Sequence, residues 1–136
     1  MNLKSPNEQL ILFLEDLEDD YLLMLHELQK SGMRYRSMRV TDGPAFIDAV
    51  NRFQPACILS AYLLPGYCGL EAFQDLKSMG KTIPFVLVAG DRQSELTKKC
   101  LDLGINGLLY KDNFSELPRV LRSAFHAPEG NRTKTS

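Results

Sequence analysis

Three stretches of this chain are apolar almost without interruption. They are Leu10-Ile11-Leu12-Phe13-Leu14, the run from Ala56 to Ala61, and Phe85-Val86-Leu87-Val88. Each has the length of a β-strand, and none alternates apolar with polar residues. A strand with one wet face needs that alternation, whereas a strand covered on both faces does not. The segments between them return apolar residues at helical spacing, with Gly or Pro at the joins. Leu22, Leu25 and Leu28 define one helix, which stops at Gly32. Tyr35 to Val40 is a more polar strand suited to a sheet edge. Thr41-Asp42-Gly43-Pro44 opens a helix with Phe46, Ala49, Val50 and Phe53 on its buried face. Leu64-Pro65-Gly66-Tyr67 is a turn, and a helix from about Gly69 to Met79 ends at Gly80. A fourth helix starts near Arg92, presents Leu96, Cys100 and Leu103, and ends at Gly104. Gly107 to Tyr110 is a short last strand. Ser115 is a cap for a final helix that tolerates Pro118 in its first turn and buries Leu117, Val120, Leu121 and Phe125.

The order is strand then helix, five times over. It implies a parallel sheet with helices on both faces and right-handed crossovers. At 136 residues and 44% hydrophobic, the chain has material for one such domain and little for a second. The expected domain spans residues 8–126, with flexible tails at 1–7 and 127–136. A net charge of −1 argues against a nucleic-acid binder. No apolar run approaches the eighteen or so residues of a membrane span. Cys57, Cys68 and Cys100 are odd in number and widely spaced, which suits free thiols in a reducing cytoplasm.

In an open parallel sheet, chemistry sits outside the carboxyl ends of the strands. The positions of interest are therefore Glu15-Asp16, Ser60-Ala61, Val88-Ala89 and Tyr110-Lys111. Glu15-Asp16-Leu17-Glu18-Asp19-Asp20 carries five carboxylates in six residues and no glycine. Such a turn repels phosphate and cannot bring backbone N–H groups close to one. Glu15 and Asp16, at the strand's end, read as hard oxygen ligands suited to Mg²⁺. Glu18, Asp19 and Asp20 read as acids favoured at a helix start. Lys111 is the basic counterpart across the sheet.

These residues, in the segments ILFLEDLEDDYLL, PACILSAYLLPGYCGLEAF, IPFVLVAGD and GINGLLYKDN, resemble the receiver domain of two-component response regulators. The resemblance covers almost the whole chain, from about residue 8 to residue 126. It implies a (βα)5 flavodoxin-like three-layer α/β sandwich, with a five-stranded parallel sheet of order 2-1-3-4-5. It maps the Mg²⁺-holding acidic pair onto Glu15 and Asp16, with the Leu63 carbonyl as a further ligand, and the phosphoryl-pairing lysine onto Lys111. The phospho-acceptor aspartate falls on Ala61, the hydroxyl switch residue on Ala89 and the aromatic switch on Leu108. The loop aspartate falls on Cys68, and the proline after the lysine on Asp112.

An alanine has no nucleophile, so no aspartyl-phosphate forms at Ala61. Ser60 points to the opposite face of its strand. With the third acid gone, any Mg²⁺ binding is weakened, and Lys111 is expected to pair directly with Glu15 or Asp16. The reading is a phosphorylation-independent interaction module, not an enzyme, in a cytoplasmic signalling pathway. Its partner is a histidine kinase or a downstream signalling protein, on the face of the fourth helix, fifth strand and fifth helix. That face includes Lys98, Lys99, Asp102 and parts of 112–122. A second copy of the chain is a further candidate partner. The competing account is an ordinary receiver with alanine substituted for aspartate at 61, which Ala89 and Leu108 make less economical. Two weaker signals are Asp16-Leu17-Glu18, faintly similar to the D-x-D loop of haloacid-dehalogenase-type phosphatases, and Cys68 as a thiol sensor. Cys57 and Cys100 read as core, His26 as surface, and His126 as a cation at a helix end.

Overall fold

A sheet of doubly buried strands has to be sandwiched, and the computed structural model, which describes residues 9–90 and 94–125, shows how. Strands β1 (Gln9–Leu14), β2 (Tyr35–Val40), β3 (Cys57–Ala61), β4 (Phe85–Ala89) and β5 (Gly107–Tyr110) form one parallel sheet of order β2-β1-β3-β4-β5. This is the expected order. Helices α1 (Glu18–Ser31), α2 (Gly43–Phe53), α3 (Gly69–Ser78), α4 (Ser94–Leu103) and α5 (Leu117–Phe125) alternate with the strands. Alternate side chains of each central strand go to opposite faces. Ile11, Phe13, Cys57, Leu59, Val86 and Val88 pack under α1 and α5, with Met24, Leu28, Leu117 and Leu121. Leu12, Leu14, Ile58, Phe85 and Leu87 pack under α2, α3 and α4, with Phe46, Val50, Phe73 and Leu96. Cys57 and Cys100 are buried free thiols in these two layers, and burial pushes the Cys57 thiol up to about 12.

Four local readings change. The buried stripe of α1 is Met24 and Leu28, flanked by partly buried Tyr21 and Leu25; Leu22 is half exposed. Tyr21, Met24, Leu25 and Leu28 follow the i, i+3, i+4, i+7 rule, whereas a strict spacing of three drifts off the face. Phe53, at the end of α2, is 45% exposed, with the Arg52 guanidinium 5.5 Å from its ring centroid. Ser115 does not cap α5: it lies in a 3₁₀ segment, Lys111–Glu116, and its hydroxyl donates to Asn113. Phe125 is only partly buried. The helix start near Arg92, the tails 1–7 and 127–136, and His126 lie outside the described residues.

Leu63–Leu64 and Tyr67–Cys68 form a two-residue antiparallel ladder around the expected turn, leading into α3. Gly69 starts that helix hard against the sheet. A Cβ there would sit 2.4 Å from Leu87 Cδ1 and 2.5 Å from the Ala61 carbonyl oxygen. The backbone oxygen cannot step aside as a flexible side-chain end can. Gly69→Ala is therefore expected to cost about 2 kcal/mol or more through overpacking, read as a lower urea midpoint with unchanged slope. A midpoint equal to that of the unaltered chain would contradict this.

Candidate functional site

The first strand ends by handing a carboxylate into the core. The Glu15 N–H donates to the Val40 carbonyl at 3.0 Å, which extends the β1–β2 ladder by one residue. The Glu15 carboxylate, only 1% exposed, lies under the acidic turn. Its Oε2 accepts the Leu17 N–H at 3.2 Å and lies 3.6 Å from Lys111 Nζ. Among the described residues its Oε1 has no hydrogen-bond partner. Burial pushes the Glu15 carboxyl above its ordinary value. Lys111 and the Leu17 N–H pull the other way, and the charges of Asp20 and Asp16 add to the rise.

Lys111 follows β5 directly and reaches across the end of the sheet. Its Nζ donates to Asp20 Oδ2 at 2.6 Å, with both side chains largely shielded from water. Burial works against the ammonium, but the Asp20 hydrogen bond and the charges of Glu15, Asp20 and Asp16 outweigh it. The Lys111 pKa lies above the ordinary lysine value. The expected pairing of Lys111 with Glu15 is present, but its tighter partner is Asp20. Asp20 is thus a site residue that reading it as a helix-start acid missed. Only Glu18 and Asp19 fit that reading, being exposed in the first turn of α1.

Arg39 is a second missed residue. Its Nη1 donates to the Glu15 carbonyl at 3.0 Å, and its guanidinium lies 5.6 Å from the Tyr21 ring centroid. Tyr21 in turn meets Phe13 edge-on at 5.0 Å and shares a hydrogen bond of 2.9 Å with Ser37. Arg39 therefore ties the backbone of the acidic turn to the edge strand. A basic residue one place before the end of an otherwise weak strand was the available signal.

Ala61 ends β3 and is 2% exposed; Ala89 ends the neighbouring strand β4 and is fully buried. Neither carries a group that can take or bind a phosphoryl. Ser60 is buried, and its hydroxyl donates to the Ala61 carbonyl at 2.9 Å, so it is engaged within the strand. Leu63 is 70% exposed at the start of the short ladder. Leu108, partly buried, packs on the core under α4. Two residues on, the Tyr110 hydroxyl shares a hydrogen bond of 2.9 Å with Thr97 of α4, a link the sequence reading did not anticipate.

The residues present do not fit a held Mg²⁺. Mg²⁺ is held by one or two carboxylates and keeps several waters, so it needs ionised oxygens free of another cation and open space beside them. Here the Lys111 ammonium already lies on the carboxylates of Asp20 and Glu15. Among the described residues no three His, Cys, Asp or Glu side chains converge as a ligand set. Among those residues, too, no helix is long and apolar enough to cross a membrane.

A three-layer α/β domain with acids and a lysine gathered at the carboxyl end of its sheet has the architecture of a signalling receiver. The response regulator receiver domain family matches residues 11–122, and the chain belongs to that family. The sensor histidine kinase RcsC of Salmonella typhimurium is 24% identical over 107 residues, which is 79% of this chain and 11% of the kinase. The chain thus spans about a tenth of that relative. The bacteriophytochrome response regulator RtBRR is similar with a TM-score of 0.74 at 28% identity, over 86% of this chain and 78% of its own. The signal receiver domain of a Luxo repressor protein from Vibrio parahaemolyticus gives a TM-score of 0.81 at 15% identity, over 95% and 98% of the two chains. At that identity it speaks for the fold alone. Receiver domains are signalling modules of two-component systems.

Buried Glu15 and partly buried Asp20 should respond oppositely to neutralisation. Glu15 holds its proton more tightly folded than unfolded, so its ionised form opposes folding. Stability falls as pH rises from the unfolded carboxyl value of about 4.3 through the raised folded one. Glu15→Gln should remove that slope and leave the melting temperature at pH 7 unchanged or higher. Asp20→Asn strips Lys111 of its nearest anion and should cost about 1 kcal/mol. Thermal melts from pH 4 to pH 8 check both; a Glu15→Gln variant less stable than Asp20→Asn at pH 7 would reverse the assignment.

Proposed function

We propose that this receiver domain signals without accepting a phosphoryl group, as a phosphorylation-independent protein-interaction module. The observation that carries the reading is Ala61 at the end of β3, buried, in the place where a receiver needs its aspartate. Phosphoryl transfer requires an oxygen nucleophile there, and a methyl group supplies none. Ala89 at the end of β4 supports it, since a hydroxyl has no phosphoryl to meet. The Lys111–Asp20 pair supports it too, because the lysine already has its anion. In this reading the ammonium takes the place of Mg²⁺ between Glu15 and Asp20, with Asp16 adding to the field. The domain catalyses no reaction of its own.

The partner is a protein of the same pathway, either a histidine kinase or a downstream signalling protein, met in the cytoplasm. We place it on the face of α4, β5 and α5. Lys98, Lys99, Leu101 and Asp102 are exposed there, and Leu101 is 71% exposed. The Thr97–Tyr110 hydrogen bond joins α4 to β5 within that face. Neither nucleic acid nor membrane is expected as a partner; pairing of two copies through the same face is the homodimer form of the reading.

Incubation with excess acetyl phosphate and Mg²⁺, followed by intact-mass spectrometry, should leave the unaltered chain without a phosphoryl adduct. Ala61→Asp alone should accept phosphate poorly, and Ala61→Asp with Ala89→Thr better. Full recovery by Ala61→Asp alone would favour the ordinary receiver with alanine substituted for aspartate. A stoichiometric adduct on the unaltered chain would sink both readings.

A further inference from the structure

A cleft of about 430 Å³ opens between the start of α2 and the turn before α3. It is lined by Asp42, Gly43, Pro44, Ile47, Pro65, Gly66, Tyr67 and Asp75, and shares no residue with the acid–lysine site. Its size falls in the range of small-molecule sites. Pro44, Ile47, Pro65 and the Tyr67 ring make an apolar lining, and Gly43 lets that ring lie flush. A Cβ at 43 would come within 3.2 Å of two ring carbons. The two ionisable acids in the lining, Asp42 and Asp75, are carboxylates, and no lining side chain is basic. Asp42 Oδ1 caps α2 by accepting the Ala45 N–H at 2.9 Å, and Asp75 Oδ2 accepts the Tyr67 hydroxyl. Burial, with Asp75 beside it, pushes the Tyr67 phenol up, so it stays a donor at neutral pH. Among the described residues neither carboxylate has an ion-pair partner, unlike Glu15, Asp20, Asp48 and Glu116.

An anion would be repelled by two carboxylates, and a neutral apolar ligand would displace water from them and give back no charge. A cation on an apolar stem satisfies both walls at once, and a planar one also meets an aromatic wall. We propose that this cleft binds an organic cation, a guanidinium, amidinium or ammonium group carried on a short apolar body, with Asp42 and Asp75 as its anions. The cation belongs either to a free small molecule or to an arginine side chain of a partner protein. The chemistry is the same in both.

The test uses the full 136-residue chain and amide chemical shifts. Benzamidinium should shift Gly43, Gly66 and Tyr67 saturably, and the isosteric neutral benzamide should bind at least about tenfold more weakly. Asp42→Asn keeps the helix cap and Asp75→Asn keeps an acceptor for Tyr67, so both variants should hold the fold, checked by unchanged shifts elsewhere. Each should weaken benzamidinium about threefold and the pair about tenfold, the size of half-exposed charge pairs. A capped arginine amide binding more tightly than benzamidinium assigns the site to a partner's side chain; the reverse order assigns it to a free amine. Benzamide binding as well as benzamidinium, or affinity unmoved in the double variant, overturns the proposal. The phosphoryl-transfer outcome at Ala61 does not bear on this result.

Discussion

Burial of the central strands on both faces is the constraint from which the rest follows. β1, β3 and β4 send side chains into two cores at once, so almost any polar group along them would be stranded. Among the described residues, only Glu15 and Ser60 are polar and buried. Ser60 solves the problem locally by donating to the next carbonyl. Glu15 cannot, because a carboxylate has two oxygens to satisfy and a charge to compensate. It therefore draws in the Leu17 N–H and Lys111, and Arg39 secures the backbone beneath it. The polar site at the sheet's end is the place where a doubly buried sheet can first afford chemistry.

This is also why some elements were legible in the sequence and others were not. Central strands announce themselves as unbroken apolar runs, and α2 as the stripe of Phe46, Ala49 and Val50, whose expected last member, Phe53, lies exposed. Gly32, Gly80 and Gly104 each adopt a left-handed φ just after a helix, so the stops were written in residue type. The strand-end positions of Ala61, Ala89 and Lys111 follow from the same pattern. What pattern cannot supply is which neighbour a long side chain chooses. Lys111 and Asp20 lie 91 residues apart, and their contact depends on where α1 begins relative to β5. Arg39 and Tyr110 hide for the same reason, since each bonds to an atom on another element. The misread face of α1 is different in kind. Its leucines outnumber the buried positions, and counting leucines gave the wrong stripe.

The charge balance of the site explains why the departures from the family pattern belong together. Glu15, Asp16 and Asp20 bring three carboxylates against the Lys111 ammonium, while the Arg39 guanidinium is spent on the Glu15 carbonyl. An aspartate at 61 would add a fourth beside them, and crowded carboxylates raise one another's pKa unless a cation intervenes. A divalent ion answers that density better than an ammonium can. With alanine at 61 the requirement drops by one charge, and a lysine hydrogen-bonded to Asp20 becomes an adequate counter-ion. Its salt bridge is shielded from water, so salt screens it less than a surface pair.

In the phosphorylation-independent reading proposed for this domain, a lysine committed in this way does not serve as a messenger. In a switching pocket the cation must exchange one anion for another, and that exchange is what moves the elements attached to it. Here the end of β3 carries the methyl group of Ala61, which offers no oxygen to hold a competing anion. The Thr97–Tyr110 hydrogen bond joins α4 to β5, and Leu108 is partly buried against the core. On the reading we propose, the nucleophile, the hydroxyl and the aromatic ring are absent together, at Ala61, Ala89 and Leu108. Once the first is gone, the other two have nothing to couple to. On that reading the sheet-and-helix platform signals through its surfaces, and the pocket at the sheet's end serves to hold the fold together.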